Sequence, residues 1–329
     1  MHIKKLYKFY YKPKHSKNYL VAACVGKNTI NLWKKFAFPL WKKYCVRNNI
    51  GLLVFHDYII PKTDKNWKPS NWQKQLFGLF IKNNFKNIKN ICLIDVDILV
   101  NPYAPNIFDY HQEDKISIVS QITNLPYTTK LNYIKRKIAY YRHNFYCKKF
   151  PLDSSLTMDE KKIFEIHGFK KKNEYFCMGV FVFNINKFSK FMKNIYFFSK
   201  PNQWSLTGGD EPFMNYHVLS NCKINWLDYK FQTIWSYEVV EKYPFLYEFK
   251  KRKNAIVRKC VETSLQNCFF LHFAGSWYDS KHMEIKSIFS NKKLIRVYTG
   301  LLKYYKINLK NKIHKYRIVP GGVSVLKKI

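Results

Sequence analysis

The chain has 329 residues, a formal net charge of +37 and 47% hydrophobic residues. That apolar content excludes a disordered polymer, and the length suits one large α/β domain with appendages. The longest apolar run, around Phe176 to Phe183, is too short to cross a bilayer, and Met1 to Asn18 lacks the apolar core of a secretory signal.

Eight cysteines are scattered singly with no Cys-x-x-Cys pair. This pattern predicts reduced core thiols and a cytoplasmic protein; the basic C-terminal segment adds peripheral attachment to the inner face of a membrane as a second expectation. The basic surface predicts anionic partners: nucleotide sugars, anionic headgroups or nucleic acid. Only seven of the 58 Lys and Arg residues are arginine, which disfavours base reading in a duplex. Abundant aromatics that could stack on bases keep a nucleic-acid-binding protein, or a nucleic-acid-modifying enzyme, as the rival reading.

In chain order, Tyr19 to Val25 reads as a first buried strand ending at Gly26. Asn28 or Thr29 then caps a helix to about Arg47, kinked at Pro39. Ile50 to Phe55 reads as a second strand, and Ser70 or Asn71 opens a helix leading into Asn90-Ile91-Cys92-Leu93-Ile94-Asp95-Val96-Asp97. This third strand is wholly apolar until it ends in two aspartates one residue apart. Alternating strands and helices predict a parallel, doubly wound sheet. Asp-x-Asp at the carboxyl end of such a strand sets two hard oxygen ligands at the ligand-binding rim, although solvated acids at a strand end would read the same way.

Lys115 to Gln121 gives a further strand. Residues from about 124 to 173, rich in Lys, Tyr and Phe, read as an inserted helical or loop region and a candidate acceptor region. Phe176 to Asn184 is a strongly apolar strand. Gly208-Gly209-Asp210-Glu211 is a glycine turn opening a helix with two acids at its start, which also suits the helix dipole. Leu271-His272-Phe273-Ala274-Gly275 is a short strand that turns at glycine. From Lys281 to Lys328, apolar residues recur at spacings of three and four among lysines, predicting a basic amphipathic helical tail at 281–329 after a domain at 1–280. Such a tail suits an anionic membrane surface or simple packing with solvated lysines.

Four of these segments resemble, in their order, the retaining GT-A glycosyltransferases, most closely the glycogenin and lipopolysaccharide galactosyltransferase family. They are Leu93-Ile94-Asp95-Val96-Asp97, Gly179-Val180-Phe181-Val182-Phe183-Asn184, Asp210-Glu211-Pro212-Phe213-Met214-Asn215 and His272-Phe273-Ala274-Gly275. The likeness spans roughly residues 19 to 277. It implies a GT-A fold, a Rossmann-like, mostly parallel twisted sheet flanked by helices. It also implies transfer of a hexose from a nucleotide sugar, such as UDP-glucose or UDP-galactose, to a glycan or glycolipid.

By the same resemblance, Asp95, Asp97 and His272 would bind Mn²⁺ (or Mg²⁺), Asp95 also touching the nucleotide. Asp210 would bond donor-sugar hydroxyls, and Glu211 would lie beneath the anomeric carbon. Ala22, Ala23 and Cys24 would face the nucleotide, although the family's acid near uracil is missing there. Lys74 and Lys281 would contact the diphosphate, and Gly179, Asn184 and Gly275 would line the donor. Taken alone, several of these have plainer readings: Lys74 as a solvated lysine, Gly179 as a close-packing residue, Asn184 as a turn residue. Pro212 replaces a second acid common in the family, and Ser276-Trp277-Tyr278 replaces its Lys-Pro-Trp.

Overall fold

The computed structural model describes residues 6–141, 154–199, 209–248 and 254–275, with the backbone of 316–319 and 322–325. The strands of the first unit are β1 (Tyr7–Tyr11), β2 (Asn18–Ala23), β3 (Gly51–Phe55), β4 (Asn90–Ile94), β5 (Ile98–Val100), β6 (Ile116–Ser120), β7 (Phe176–Asn184), β8 (Ile224–Trp226), β9 (Thr233–Ile234) and β10 (Phe270–His272). Seven form one sheet in the order β1-β3-β2-β4-β7-β6-β8. β3, β2 and β4 are mutually parallel, and β6 and β8 run the same way. β7 lies antiparallel between β4 and β6, and β1 is antiparallel to β3 at the edge. The expected α/β class with a helix-flanked sheet is what the chain adopts. β7 and the edge strand β1 are the antiparallel members of this mostly parallel sheet, and the aromatic, lysine-broken N-terminus gave no sign of β1.

The reversal at β7 decides where the inserted region goes. β6 ends at the rim where β4 ends, and Ser120 pairs with Phe176 at the start of β7. An antiparallel neighbour needs no crossover, so the segment between these strands leaves and re-enters the sheet at that rim. The insertion holds the helices Leu131–Tyr141 and Glu160–Ile166. The Lys135 ammonium joins them through a buried ion pair with Glu160 and a 3.0 Å bond to the Met158 carbonyl.

Both faces of the sheet are covered. Side chains alternate across a strand, so Val21, Leu53, Phe55, Leu93, Phe181 and Phe183 meet Trp72, Leu76, Phe77, Ile81 and Met192 in one core cluster. The last five belong to the helices Ser70–Asn84 and Ile185–Phe198. Leu20, Ala22, Val54, Cys92 and Ile94 alternate with them and are equally buried, as are Trp33, Trp41 and Tyr44 from the N-terminal helices. Those helices, Lys27–Phe36 and Phe38–Arg47, break at Ala37 ahead of Pro39, and the first starts after Gly26 rather than at an Asn28 or Thr29 cap.

Among the described residues no helix is long and apolar enough to cross a membrane. Lys281 and most of the helical tail expected at 281–329 lie outside the described residues. In the second unit, 285–329, Tyr316–Val319 and Gly322–Val325 pair as an antiparallel hairpin, an element the tail reading did not contain.

The rings of Phe55 and Phe77 stack at 4.0 Å between centroids beneath the first three strands. Phe77→Ala is expected to lower stability by about 3–5 kcal/mol through lost burial and a residual cavity, measured by urea denaturation.

Candidate active site

The cleft forms where β4 runs out. Asp95 follows the last residue of β4, and its amide donates to the Gly179 carbonyl of β7 at 3.0 Å. The chain then turns through Val96 and Asp97 into β5, which leaves the main sheet and joins a second, three-stranded one. There β10 pairs antiparallel with β5, setting His272 opposite Ile98. The Phe273 amide donates to the Asp97 carbonyl at 3.1 Å.

This register brings the expected metal ligands together. His272 Nε2 lies 3.4 Å from Asp97 Oδ1 and 3.9 Å from Asp95 Oδ2. One ligand atom from each of Asp95, Asp97 and His272 falls within a common 4.8 Å. Two carboxylates and an imidazole fit Mn²⁺ or Mg²⁺, with room left for ligand oxygens.

The imidazole is held from behind. Its Nδ1 faces the Gln232 amide at 3.3 Å and Cys177 Sγ at 3.7 Å, and Gln232 also donates to the Cys177 carbonyl at 3.2 Å. Gly179 explains why the ring fits: a Cβ there would stand 2.3 Å from His272 Cε1. Gly179 therefore packs closely against His272 and does not line the cleft. Burial opposes a charged His272, but Asp97 and Asp95 outweigh it and raise its pKa.

Lys74 is buried at 4% exposure and holds Asp95 Oδ1 at 2.6 Å. Its burial disfavours the ammonium, yet Asp95 and Asp210 more than compensate and push its pKa up. It stands on the wall of a cleft of about 370 Å³ shared with Ala23, Asp95, Asp97, Glu211, His272 and Gly275. Asp210 is buried just behind and accepts from Asn71 Nδ2 at 2.9 Å, and its Oδ2 has no partner. Burial raises the pKa of Asp210, against the pull of Lys74. Glu211, the first residue of the helix Glu211–Asn221, accepts from Ser155 Oγ at 2.7 Å. Burial pushes its carboxyl up to about 7, and Asp210 adds to this while the Ser155 bond opposes it.

Besides Gly179, three expected contacts are placed elsewhere. Asn184 sits at the far end of β7 opposite Asn90, where its side chain caps the helix Ile185–Phe198 by accepting from the Asn186 amide at 2.9 Å. The cause is the reversed direction of β7: a strand that starts at the rim ends away from it. Ala22 and Cys24 are wholly buried in and after β2 and do not line the cleft, whereas Ala23 between them does.

Thr29, Asn71, Gln121, Ser154 and Ser155 belong to the site and were missed. Gln121 lines the cleft at 2% exposure with both amide atoms unpartnered, and Ser154 Oγ is likewise unpartnered. Buried orphan polar groups cost free energy until a ligand or water meets them. The end of β6 at the rim could have flagged Gln121, but nothing local marks the serines.

No protein-family model and no curated protein matches the chain. Solved structures similar to it include a glycosyltransferase involved in glycosylation of the major capsid of PBCV-1, at 10% identity over 82% of this chain and 99% of that one (TM-score 0.48). The bifunctional glycosyltransferase WbbM aligns at 13% identity over 85% of this chain and 51% of its own (TM-score 0.45). The galactosyltransferase LgtC, solved with donor and acceptor sugar analogues, aligns at 9% identity over 81% and 93% (TM-score 0.42). With every score below 0.5, the functional reading rests on the geometry of the cleft.

Gly179→Ala is expected to push the imidazole off its position and weaken Mn²⁺ affinity at least about tenfold, since support behind a metal-ligating histidine commonly matters that much. Calorimetric titration of the folded variant with Mn²⁺ checks this.

Proposed function

We propose that this protein is a metal-dependent glycosyltransferase of GT-A type that moves a hexose from a nucleotide sugar, UDP-linked, to a hydroxyl of a glycan or glycolipid with retention of configuration. The observation that carries it is the convergence of Asp95, Asp97 and His272 on one point of a cleft into which Glu211 also opens. A bound Mn²⁺ or Mg²⁺ would supply Lewis-acid stabilisation of the leaving diphosphate.

The protein's own groups do the rest. Lys74 offers positive charge on the diphosphate side, next to Asp95. Asp210, buried behind the cleft wall with an unpartnered Oδ2, would accept from a sugar hydroxyl. Glu211 serves as the carboxylate beneath the anomeric carbon. As the C1–O bond to phosphate breaks and its electron pair leaves with the diphosphate, Glu211 stabilises the cationic carbon or bonds to it until the acceptor oxygen adds on the same face, its proton passing to the departing diphosphate. Gln121 and Ser154 present unpaired hydrogen-bonding groups where sugar hydroxyls would lie.

Hydrolysis of UDP-hexoses is expected to require Mn²⁺ or Mg²⁺. EDTA or Asp97→Ala should abolish it, as monitored by UDP release. Full activity in EDTA would overturn the metal's role. Turnover is also expected to rise with pH through about 7 as Glu211 ionises, and Glu211→Gln should lose about 10²-fold or more in kcat.

Stability gives an independent check. A carboxyl whose pKa is raised on folding stabilises the fold fully below its ordinary value of 4.5, and that contribution is lost as pH rises through about 7. Glu211→Gln should therefore stabilise the metal-free protein more at pH 8 than at pH 5, by up to about 3 kcal/mol, in denaturant melts.

A further inference from the structure

The inserted region does more than cover the rim. Ser155 is 3% exposed and lies between the insertion's two helices. Its segment is fixed by a turn in which the Thr157 and Met158 amides donate to the Ser154 carbonyl at 3.0 and 2.9 Å. Lys135 clamps the far side of that turn through the Met158 carbonyl and Glu160. From this anchored position Ser155 Oγ donates to Glu211 Oε1 at 2.7 Å. Ser154, Ser155 and Leu156 all line the cleft beside that carboxylate.

We infer that Ser155 is a positioning residue for Glu211: its hydroxyl, anchored by the insertion's turn, fixes the carboxylate under the reacting carbon. The inference rests on the transferase reading for its catalytic meaning but not for its physical content. A hydroxyl has one proton to donate; a protonated carboxyl still accepts it at the carbonyl oxygen, but the ionised carboxylate accepts it more strongly, so the bond favours the charged form. Charge-assisted bonds of this length are about twice as strong as neutral ones.

The other groups around Glu211 do less: the Met178 amide and the Cys177 thiol also favour its charged form, each by less than Ser155. Asp210, beside it on the same helix, repels the charge. Tyr175 and Cys177 of the β7 segment, and Tyr237 of the helix Trp235–Lys242, are buried groups whose own ionisation Glu211 opposes. Lys135, the nearby cation, is committed to Glu160 and Met158. The insertion thus couples its own folding to the charge state of the central carboxylate.

The test is direct titration of Glu211 by difference infrared spectroscopy of the metal-free protein, with Glu211→Gln assigning the carboxyl band. Ser155→Ala is expected to raise the Glu211 pKa by about one unit, the scale of a lost hydrogen bond to a charged group, and Ser155→Thr should keep it near the wild-type value. In UDP-hexose turnover, Ser155→Ala should shift the acidic limb of the kcat profile upward, so the loss is larger at pH 6 than at pH 8. Added to Glu211→Gln, it should cost nothing further.

An unshifted carboxyl band in folded Ser155→Ala, or a loss equal at all pH values and additive with Glu211→Gln, would overturn the assignment. Because the infrared titration needs no turnover, a protein inactive on every nucleotide sugar would defeat the proposed function and leave this result standing.

Discussion

Everything at the cleft depends on the pairing of β10 with β5. Three residues of each strand, held by a short antiparallel ladder, fix an imidazole from residue 272 over carboxylates at 95 and 97. A slip of one residue would turn His272 to the opposite face and bring Leu271 or Phe273 into its place. The Phe273 amide on the Asp97 carbonyl and the missing Cβ at Gly179 both act against that slip. The second small sheet is therefore a registration device, and its cost in buried polar backbone is met within the ladder itself.

The charges around this point are mutually dependent. Lys74 neutralises Asp95 from inside the fold, and His272 is drawn toward its charged form by the same acids. An arriving divalent cation would compete with both, so its binding is linked to proton release from the imidazole. Glu211 belongs to a separate group of interactions, governed by burial, Asp210 and Ser155. One cleft thus brings together the Asp95, Asp97 and His272 cluster, which could hold a cation, and a carboxylate half whose protonation is set by different neighbours.

Topology also explains the inserted region. A strand that returns antiparallel from the rim delivers its preceding segment to the site without any crossover, as β7 does here. The same reversal removes Asn184 from the cleft and makes it a helix cap. One change of strand direction therefore both adds Ser155 to the site and takes Asn184 away.

The sequence by itself determined the identity and order of the elements that carry chemistry. The apolar run into Asp95-Val96-Asp97, the glycine turn into Asp210-Glu211 and the short strand at His272 are local patterns, and local patterns follow from side-chain chemistry and spacing along the chain. It also marked 124–173 as an insertion. Tertiary structure alone decided the direction of β7, the edge strand β1, the burial of Lys74 against Asp95 and the contact of Ser155 with Glu211. Those features depend on pairing and packing between residues 21 to 95 positions apart, and no short-range pattern encodes which distant partner a serine, a lysine or a strand edge will meet.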